Sequence, residues 1–333
     1  MSINKGVLLR VLGSIILIIL VFRSANLGEI FETLKRIDIA IYIFSFLIFL
    51  GNKFIVSYRW KRLLRVQHIE AKLLALYKVN LLGTILNNVL PSTIGGESVR
   101  IYWLVKEFPG KNTASVVATL ADKLLGLVAL IFLAIIVLPL NTIIDPQIKI
   151  TSLVILGGTL AILGLLVWSP RNWGPVLIRK LMFNDWLKAN FERILNVLKT
   201  FKRSKDTMLV AFILSLLFQF ISVVNQFLRF RSIGVDVPIQ YLFFAIPITT
   251  LIVMLPISIG GFGLREVSLI GLLSIVSIDS AAVVAYTIVS YSSVLLLSIG
   301  LALYNMADEP FRKLWRDLLS TDKIKYESDI DAS

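Results

Sequence analysis

Apolar residues in this chain are gathered into long runs that are separated by short polar segments. A transmembrane helix needs about 20 predominantly apolar residues. Six runs approach or exceed that length: Val7–Phe22, Ile39–Ser57, Thr113–Leu140, Ile150–Trp168, Thr207–Leu228 and Ser280–Met306. The pattern predicts an all-α polytopic membrane protein with about six full transmembrane helices.

Two further apolar stretches, at 79–108 and 239–278, are broken near their middles. The first contains L-P-S-T-I-G-G-E-S-V-R, ending at Arg100, and the second contains L-P-I-S-I-G-G-F-G-L-R, ending at Arg265. Both fit L-P-x-x-I-G-G-x-x-x-R, and their prolines are 165 residues apart. Because proline ends a helix and glycine permits a sharp reversal, each stretch is predicted to form a re-entrant helical hairpin.

The order of these elements divides the chain into two membrane repeats. Repeat 1 covers 1–141 and repeat 2 covers 142–306, and each reads span, span, hairpin, span; a cytoplasmic tail follows at 307–333. Three crossings per repeat place the second repeat upside down relative to the first, which is an inverted-topology repeat. A second interpretation has every short helix crossing the membrane fully, giving ten crossings, and hydropathy alone does not separate the two.

The loop charges predict the orientation. Residues 58–78 carry six basic side chains and one acidic one, and residues 169–206 carry nine and three. The positive-inside rule places both segments, and both termini, on the cytoplasmic side of the cell membrane. Apolar residues spaced mostly three or four apart predict an amphipathic helix at 175–203, which either lies on the membrane surface or packs against the spans.

Composition supports a membrane protein and excludes several other classes. The chain is 57% hydrophobic and 17% charged, whereas soluble domains are about 25% charged. The formal net charge of +13 fits the cytoplasmic leaflet better than nucleic acid, because the basic residues lie in loops. There is no cysteine, and His68 is the single histidine. No catalytic residue, metal site or cofactor is predicted.

The repeated motif has the chemistry of an anion pocket. After the glycines a second short helix begins, and its free N–H groups and positive dipole end would face the interior of the protein. Arg100 and Arg265 each follow the second glycine by four residues, so each guanidinium would lie about one turn from that helix start. Such a pocket suits phosphate or carboxylate. The alternative is a simple kink with an arginine that snorkels, but the motif occurs twice, which favours a binding site.

The candidate substrate-binding residues are the motif positions and their polar neighbours. Glu97 and Glu266 would neutralise the motif arginines, carry a proton, or form plain salt bridges. Asn87 and Asn88 would line the pocket or bond freed backbone carbonyls. The full set is Asn87, Asn88, Pro91, Gly95, Gly96, Glu97, Arg100, Asp122, Lys123, Pro256, Ser258, Gly260, Gly261, Arg265 and Glu266.

Other charges within apolar sequence are few. Asp122 and Lys123 lie early in the third span, where they would either line the cavity near the first hairpin or anchor the helix at the interface. Lys53 and Lys78 are interpreted as snorkelling side chains.

Three motifs together resemble a known family. They are R-W-x-x-L-L from Arg59, N-x-x-L-P-x-x-x-G-[GD]-x-x-R from Asn87, and P-x-S-x-G-G-x-G-x-R-E from Pro256. The chain resembles the lysylphosphatidylglycerol synthase transmembrane domain family, also called flippase-like or UPF0104 proteins, over about residues 5–307. The family often has E-R-x-x-D in the third span, where this chain has D-K-L-L-G, with Gly126 at the last acidic position.

The resemblance implies a lipid function. In this family the membrane domain is linked to moving aminoacylated phosphatidylglycerol between leaflets, and stand-alone members are linked to other lipids or lipid-linked sugars. The aminoacyltransferase domain is absent, so this chain is not expected to make the aminoacyl lipid.

We therefore predict a lipid flippase that works by alternating access on a phospholipid with an anionic or zwitterionic headgroup, or on a polyprenyl-phosphate-linked lipid. The sequence has no G-x-x-x-x-G-K-[ST] motif for ATP. The predicted partners are membrane lipids rather than nucleic acid. The alternatives are a membrane-embedded lipid-phosphate transferase, which would need paired carboxylates for a metal, and a non-catalytic partner of a separate lipid-modifying enzyme.

Overall fold

The computed structural model describes residues 21, 26–89, 95–168, 201, 204–254, 258 and 261–307. The predicted first span, nearly all of the amphipathic segment at 175–203 and the tail beyond residue 307 lie outside the described residues. So do Pro91, Pro256 and Gly260 of the candidate site.

The described part of the chain forms ten α-helices and contains no strand. In chain order they are α1 (Leu27–Lys35), α2 (Ile39–Val66), α3 (Leu73–Val89), α4 (Gly95–Glu107), α5 (Asn112–Val137), α6 (Pro146–Trp168), α7 (Lys205–Ser232), α8 (Ile239–Val253), α9 (Leu264–Leu273) and α10 (Ser280–Ala307). Short 3₁₀ turns, Leu138–Leu140 and Ser274–Val276, follow α5 and α9.

Four of these helices are long and apolar enough to cross a membrane: α2, α7, α10, and α5 together with its 3₁₀ turn. α6 has 23 residues, or about 35 Å at 1.5 Å per residue, which exceeds the ~30 Å hydrocarbon core. The prediction of an all-helical, multi-pass membrane protein is confirmed. The count of six full spans stays a prediction, since the first of them lies outside the described residues.

The helices on either side of each motif are shorter. α3 has 17 residues, α4 13, α8 15 and α9 10. At 1.5 Å per residue they span about 15–25 Å, less than the ~30 Å core. α3 packs against α4 and α8 packs against α9, as the two arms of a hairpin must. The re-entrant path itself stays a prediction.

α2 and α7 form the most extensive helix pair. Each has 28 residues, and each is the second predicted span of its repeat. At one end the Asp38 N–H donates to the Ser232 carbonyl at 2.6 Å. At the other end Val66 and Thr207 line one cleft. The two helices are therefore antiparallel, as an inverted repeat requires of corresponding spans.

Two apolar cores lie toward opposite ends of the α2–α7 pair. The first core holds Trp60, Leu63 and Leu64 of α2 with side chains of α3, α4 and α5. The second core holds Phe230 of α7 and Tyr241 of α8 with side chains of α9 and α10. Both cores contain side chains from both predicted repeats.

Two local features differ from the sequence analysis. The segment 23–38, which lies between the first two predicted spans, contains α1, whose first turn is capped by the Asn26 side chain accepting from the Gly28 N–H at 2.9 Å. α2 continues to Val66 instead of ending at Ser57, because Trp60 and the leucines after it are buried in the first core. The polar loop between α2 and α3 is correspondingly short.

The inverted topology can be tested by cysteine labelling, because the sequence has no cysteine. Glu70→Cys, between α2 and α3, is expected to react with a membrane-impermeant thiol reagent from the cytoplasmic side. Asp236→Cys, between α7 and α8, is expected to react from the outer side. With these as references, Met254→Cys, at the end of α8 beside the second motif and 39% exposed, should react from the same side as Asp236→Cys. Reaction from the Glu70 side would mean that α8 crosses the membrane fully.

Candidate functional site

The first motif lies beside a buried cluster of three charged residues. Asp122 of α5 accepts from Arg59 Nε at 2.6 Å through Oδ1 and from Arg100 Nη2 at 2.7 Å through Oδ2. The side chains of Arg59, Asp122 and Arg100 are 4%, 1% and 7% exposed. Because one carboxylate serves two guanidinium groups, the cluster keeps a net positive charge.

The other N–H groups of Arg59 donate hydrogen bonds, whereas one N–H group of Arg100 does not. Arg59 Nη1 donates to Ser215 Oγ at 2.7 Å, and its Nη2 donates to the Asp122 carbonyl at 3.2 Å. The Arg100 guanidinium lies 4.0 Å from the centre of the Trp60 ring, a cation–π contact. Arg100 Nε is buried without a hydrogen-bond partner. Arg100 is thus held in place but retains a donor for a further acceptor.

Two glycines and an asparagine fix the position of α4. The Gly96 N–H donates to Asn87 Oδ1 at 2.6 Å. A Cβ on Gly96 would lie 2.5 Å from the Gly83 carbonyl oxygen, so α3 and α4 touch backbone to backbone. The Asn87 side chain therefore caps the N-terminus of α4 by accepting from a freed N–H. Arg100 follows one turn later on the same helix.

Glu97 does not neutralise Arg100. Its Oε1 pairs with Lys123 Nζ at 3.2 Å, and Asp122 supplies the carboxylate for Arg100. Glu97 Oε2 is buried and has no hydrogen-bond partner. Asp122 and Lys123 were predicted either to line the cavity near the first hairpin or to anchor the helix at the interface. In the structure both residues lie beside the first motif; Asp122 is buried and Lys123 is partly exposed.

The second motif is stabilised in a different way. Gly261 and Gly263 have positive φ angles of 81° and 77°, and a Cβ on Gly261 would lie 2.5 Å from Val253 Cγ1. The backbone there needs glycine. The Gly263 N–H donates to Glu266 Oε2 at 2.7 Å, so Glu266 caps the start of its own helix, α9.

Arg265 contacts an aromatic ring in the described part of the chain. Its guanidinium lies 5.7 Å from the centre of the Tyr291 ring, which stacks on Phe262 at 4.7 Å. The Tyr291 hydroxyl donates to Glu266 Oε1 at 3.4 Å. Among the described residues, no acidic side chain lies within ion-pair distance of Arg265. Ser258, also in this motif, is buried with an unpaired hydroxyl.

Most of the candidate residues are thus brought to two places. Near the first motif lie Asn87, Gly95, Gly96, Glu97, Arg100, Asp122 and Lys123, and near the second lie Ser258, Gly261, Arg265 and Glu266. Asn88 lies in α3, but its side chain is not described.

Sequence reasoning gave no role to Arg59, Trp60 or Ser215. Arg59 and Trp60 belong to the R-W-x-x-L-L motif, and this motif could have marked them as functional residues. Ser215 is 156 residues from Arg59 and carries no motif of its own.

Comparison with known proteins identifies the family. The family described as the lysylphosphatidylglycerol synthase TM region matches residues 7–301. The chain belongs to this family.

Curated relatives of this lysylphosphatidylglycerol synthase family member are similar over nearly the same span. A UPF0104 membrane protein of Methanothermobacter thermautotrophicus is 22% identical over 305 residues, covering 86% of this chain and 90% of the relative. A UPF0104 membrane protein of Methanocaldococcus jannaschii is 24% identical over 304 residues, with the same coverage. No solved structure matches the chain.

Gly126, which stands where the E-R-x-x-D pattern has its last acid, lies close to Arg59. A Cβ built on Gly126 would lie 3.7 Å from both terminal nitrogens of Arg59. An acidic residue at this position would therefore face the Arg59 guanidinium. With glycine at this position, Asp122 is the carboxylate that pairs with both Arg59 and Arg100 among the described residues.

Proposed function

We propose that the protein moves a phospholipid, or a polyprenyl-phosphate-linked lipid, between the two leaflets by alternating access. The observation that carries the proposal is that each motif arginine lies in apolar sequence beside the start of a short helix, with Arg100 buried and Arg265 partly exposed. Arg100 shares one carboxylate with Arg59, and Arg265 has none among the described residues.

The free-energy cost of placing an arginine in apolar surroundings favours an anionic ligand at these sites. An arginine at the centre of a transmembrane helix costs about 2.5–3.5 kcal/mol on insertion scales. Pairing with an acid offsets that cost, but the described carboxylates nearby are already engaged: Asp122 binds two arginines and Glu266 caps α9. A phosphate group provides the missing charge and accepts bidentate hydrogen bonds from a guanidinium.

The two sites also fit transfer between leaflets. They belong to corresponding elements of two repeats whose second spans are antiparallel. In secondary transporters of this plan, substrate binds at broken helices, and one repeat rocks against the other. Since the sequence has no ATP-binding motif, transport would run downhill or use an ion gradient.

The test is reconstitution of the purified protein in liposomes with fluorescent phosphatidylglycerol. Wild-type protein is expected to move the lipid between leaflets without changing it chemically. Arg100→Ala and Arg265→Ala are each expected to lower the rate at least tenfold while leaving the protein folded, because each removes a charge that lacks a carboxylate of its own.

The matched control for these variants is Arg231→Ala. Arg231 pairs with Asp236 on the surface, and both side chains are at least half exposed, so its loss should leave transport unchanged. Wild-type rates in Arg100→Ala or Arg265→Ala would reject the anion sites. Chemical turnover of the lipid would identify a transferase instead.

A further inference from the structure

The middle of the α2–α7 pair, between the two apolar cores, is polar. Asn52 Nδ2 donates to Ser222 Oγ at 2.8 Å, and Asn80 Nδ2 donates to Ser57 Oγ at 3.1 Å. The Oδ1 atoms of Asn52 and Asn225 are buried without partners. Polar side chains within apolar spans pair with one another across helices or mark the path of a polar ligand, and the unpartnered Oδ1 atoms favour the second role here.

Lys53 lies in this layer, at the midpoint of α2. Its Nζ is 5.3 Å from the centre of the Phe49 ring, and Arg229 Cζ of α7 is 5.6 Å from the centre of the same ring. Two cations from antiparallel helices thus share one aromatic ring. Among the described residues, no carboxylate lies within ion-pair distance of either cation.

These two cations also interact with the two motif arginines. Lys53 interacts electrostatically with Arg100, with Arg229 and with the Glu97 carboxylate. Arg229 in turn interacts electrostatically with Arg265. These pairwise interactions connect Arg100, Lys53, Arg229 and Arg265 as a row of positive charges that links the two motifs.

The row also has unused donors. Arg100 and Arg229 are 6% and 8% exposed, and the Nε atom of each is buried without a hydrogen-bond partner. Like charges held this close repel one another, so a bound anion would stabilise the row. It would also accept from the unused N–H groups.

We propose that Lys53 and Arg229 form a relay site between the two motifs for the phosphate group of a lipid that passes between Arg100 and Arg265. The inference rests on the proposed function and deepens it, because it adds a second pair of phosphate-binding residues to the two motif arginines. It also gives Lys53 a binding role in place of snorkelling.

A binding experiment tests the relay without requiring transport. Dihexanoyl phosphatidylglycerol is expected to raise the Tm of the detergent-purified protein, whereas dihexanoylglycerol, which lacks phosphate, is not. The shift should be lost in Lys53→Met and in Arg229→Met but kept in Lys53→Arg. Lys72→Met is the control, since Lys72 is an exposed lysine just before α3, and it should keep the shift.

Without lipid, Lys53→Met should have a Tm at least equal to that of the wild type, because it removes a cation with no carboxylate within ion-pair distance in the described part of the chain. A full lipid-induced shift in both Lys53→Met and Arg229→Met would overturn the relay. So would the absence of any shift in the wild type. An equal shift with inorganic phosphate alone would assign the site to the free anion and overturn a lipid cargo.

The same variants in liposomes separate the relay from the proposed function. Transport of labelled phosphatidylglycerol should fall at least tenfold in Lys53→Met. If the wild type transports and Lys53→Met transports equally, the relay is wrong and the flippase stands. If the wild type does not transport but the binding pattern holds, the anion site stands and the flippase is wrong.

Discussion

Replacing Asp122 with alanine is expected to lower the free energy of unfolding by about 3–5 kcal/mol, the range found when one partner of a buried ion pair is removed. Asp122 is 1% exposed and accepts from both Arg59 and Arg100. Without it, two guanidinium groups would remain in the interior with no carboxylate between them. Denaturant unfolding of the purified protein in detergent micelles measures the change.

The control for Asp122→Ala is Asp236→Ala. Asp236 also pairs with an arginine, but its side chain is 78% exposed, and surface pairs contribute only about 0–1 kcal/mol. The double variant Asp122→Ala with Arg100→Ala leaves one unpaired arginine instead of two, so it should recover part of the lost stability. An Asp122→Ala protein as stable as Asp236→Ala would contradict the shared-carboxylate cluster.

Replacing Gly96 with alanine is expected to separate α3 from α4. The added Cβ would lie 2.4 Å from Asn87 Nδ2 and 2.5 Å from the Gly83 carbonyl oxygen, and the latter is backbone that cannot rotate away. Overpacking of this kind costs about 1–3 kcal/mol. The hydrogen bond from Gly96 to Asn87 would be lost, and Arg100, one turn further along α4, would move from Asp122. Both the Tm and the transport rate should fall.

Gly126→Ala is the matched control, because Gly126 is also a helical glycine in the apolar interior. A Cβ there would meet its nearest neighbours, the Arg59 nitrogens, at 3.7 Å, an ordinary contact. This variant should keep its Tm and its transport. If Gly96→Ala were equally tolerated, the backbone contact between α3 and α4 would not set the position of Arg100.

The sequence was sufficient to predict the class of fold and the position of most long helices. α5 and α10 coincide with apolar runs to within a residue at their starts, since membrane helices are marked by length and hydropathy. The repeated motif also located the breaks between α3 and α4 and between α8 and α9. Helix ends in charged sequence were less predictable: α2 continues through Arg59 because that arginine is buried against Asp122.

The electrostatic arrangement of the site could not be predicted from local pattern. Arg59 and Asp122 are 63 residues apart, and Arg59 and Ser215 are 156 apart. From hydropathy, Arg59 reads as the start of a loop, because hydropathy counts the charge but does not include the helix that packs beside it. The assignment of Glu97 to Arg100 failed for the same reason, since the preferred carboxylate comes from α5.

The antiparallel pairing of α2 with α7 has a consequence for biosynthesis. Translation delivers the N-terminal half to the membrane first, so α2 is inserted while α7 is still unmade. Until α7 arrives, Asn52 lacks Ser222 and Arg59 lacks Ser215. The nascent first half therefore carries polar groups that await a helix from the second half. Chains stalled between the two repeats would be incomplete folding intermediates and natural targets for membrane chaperones and proteases.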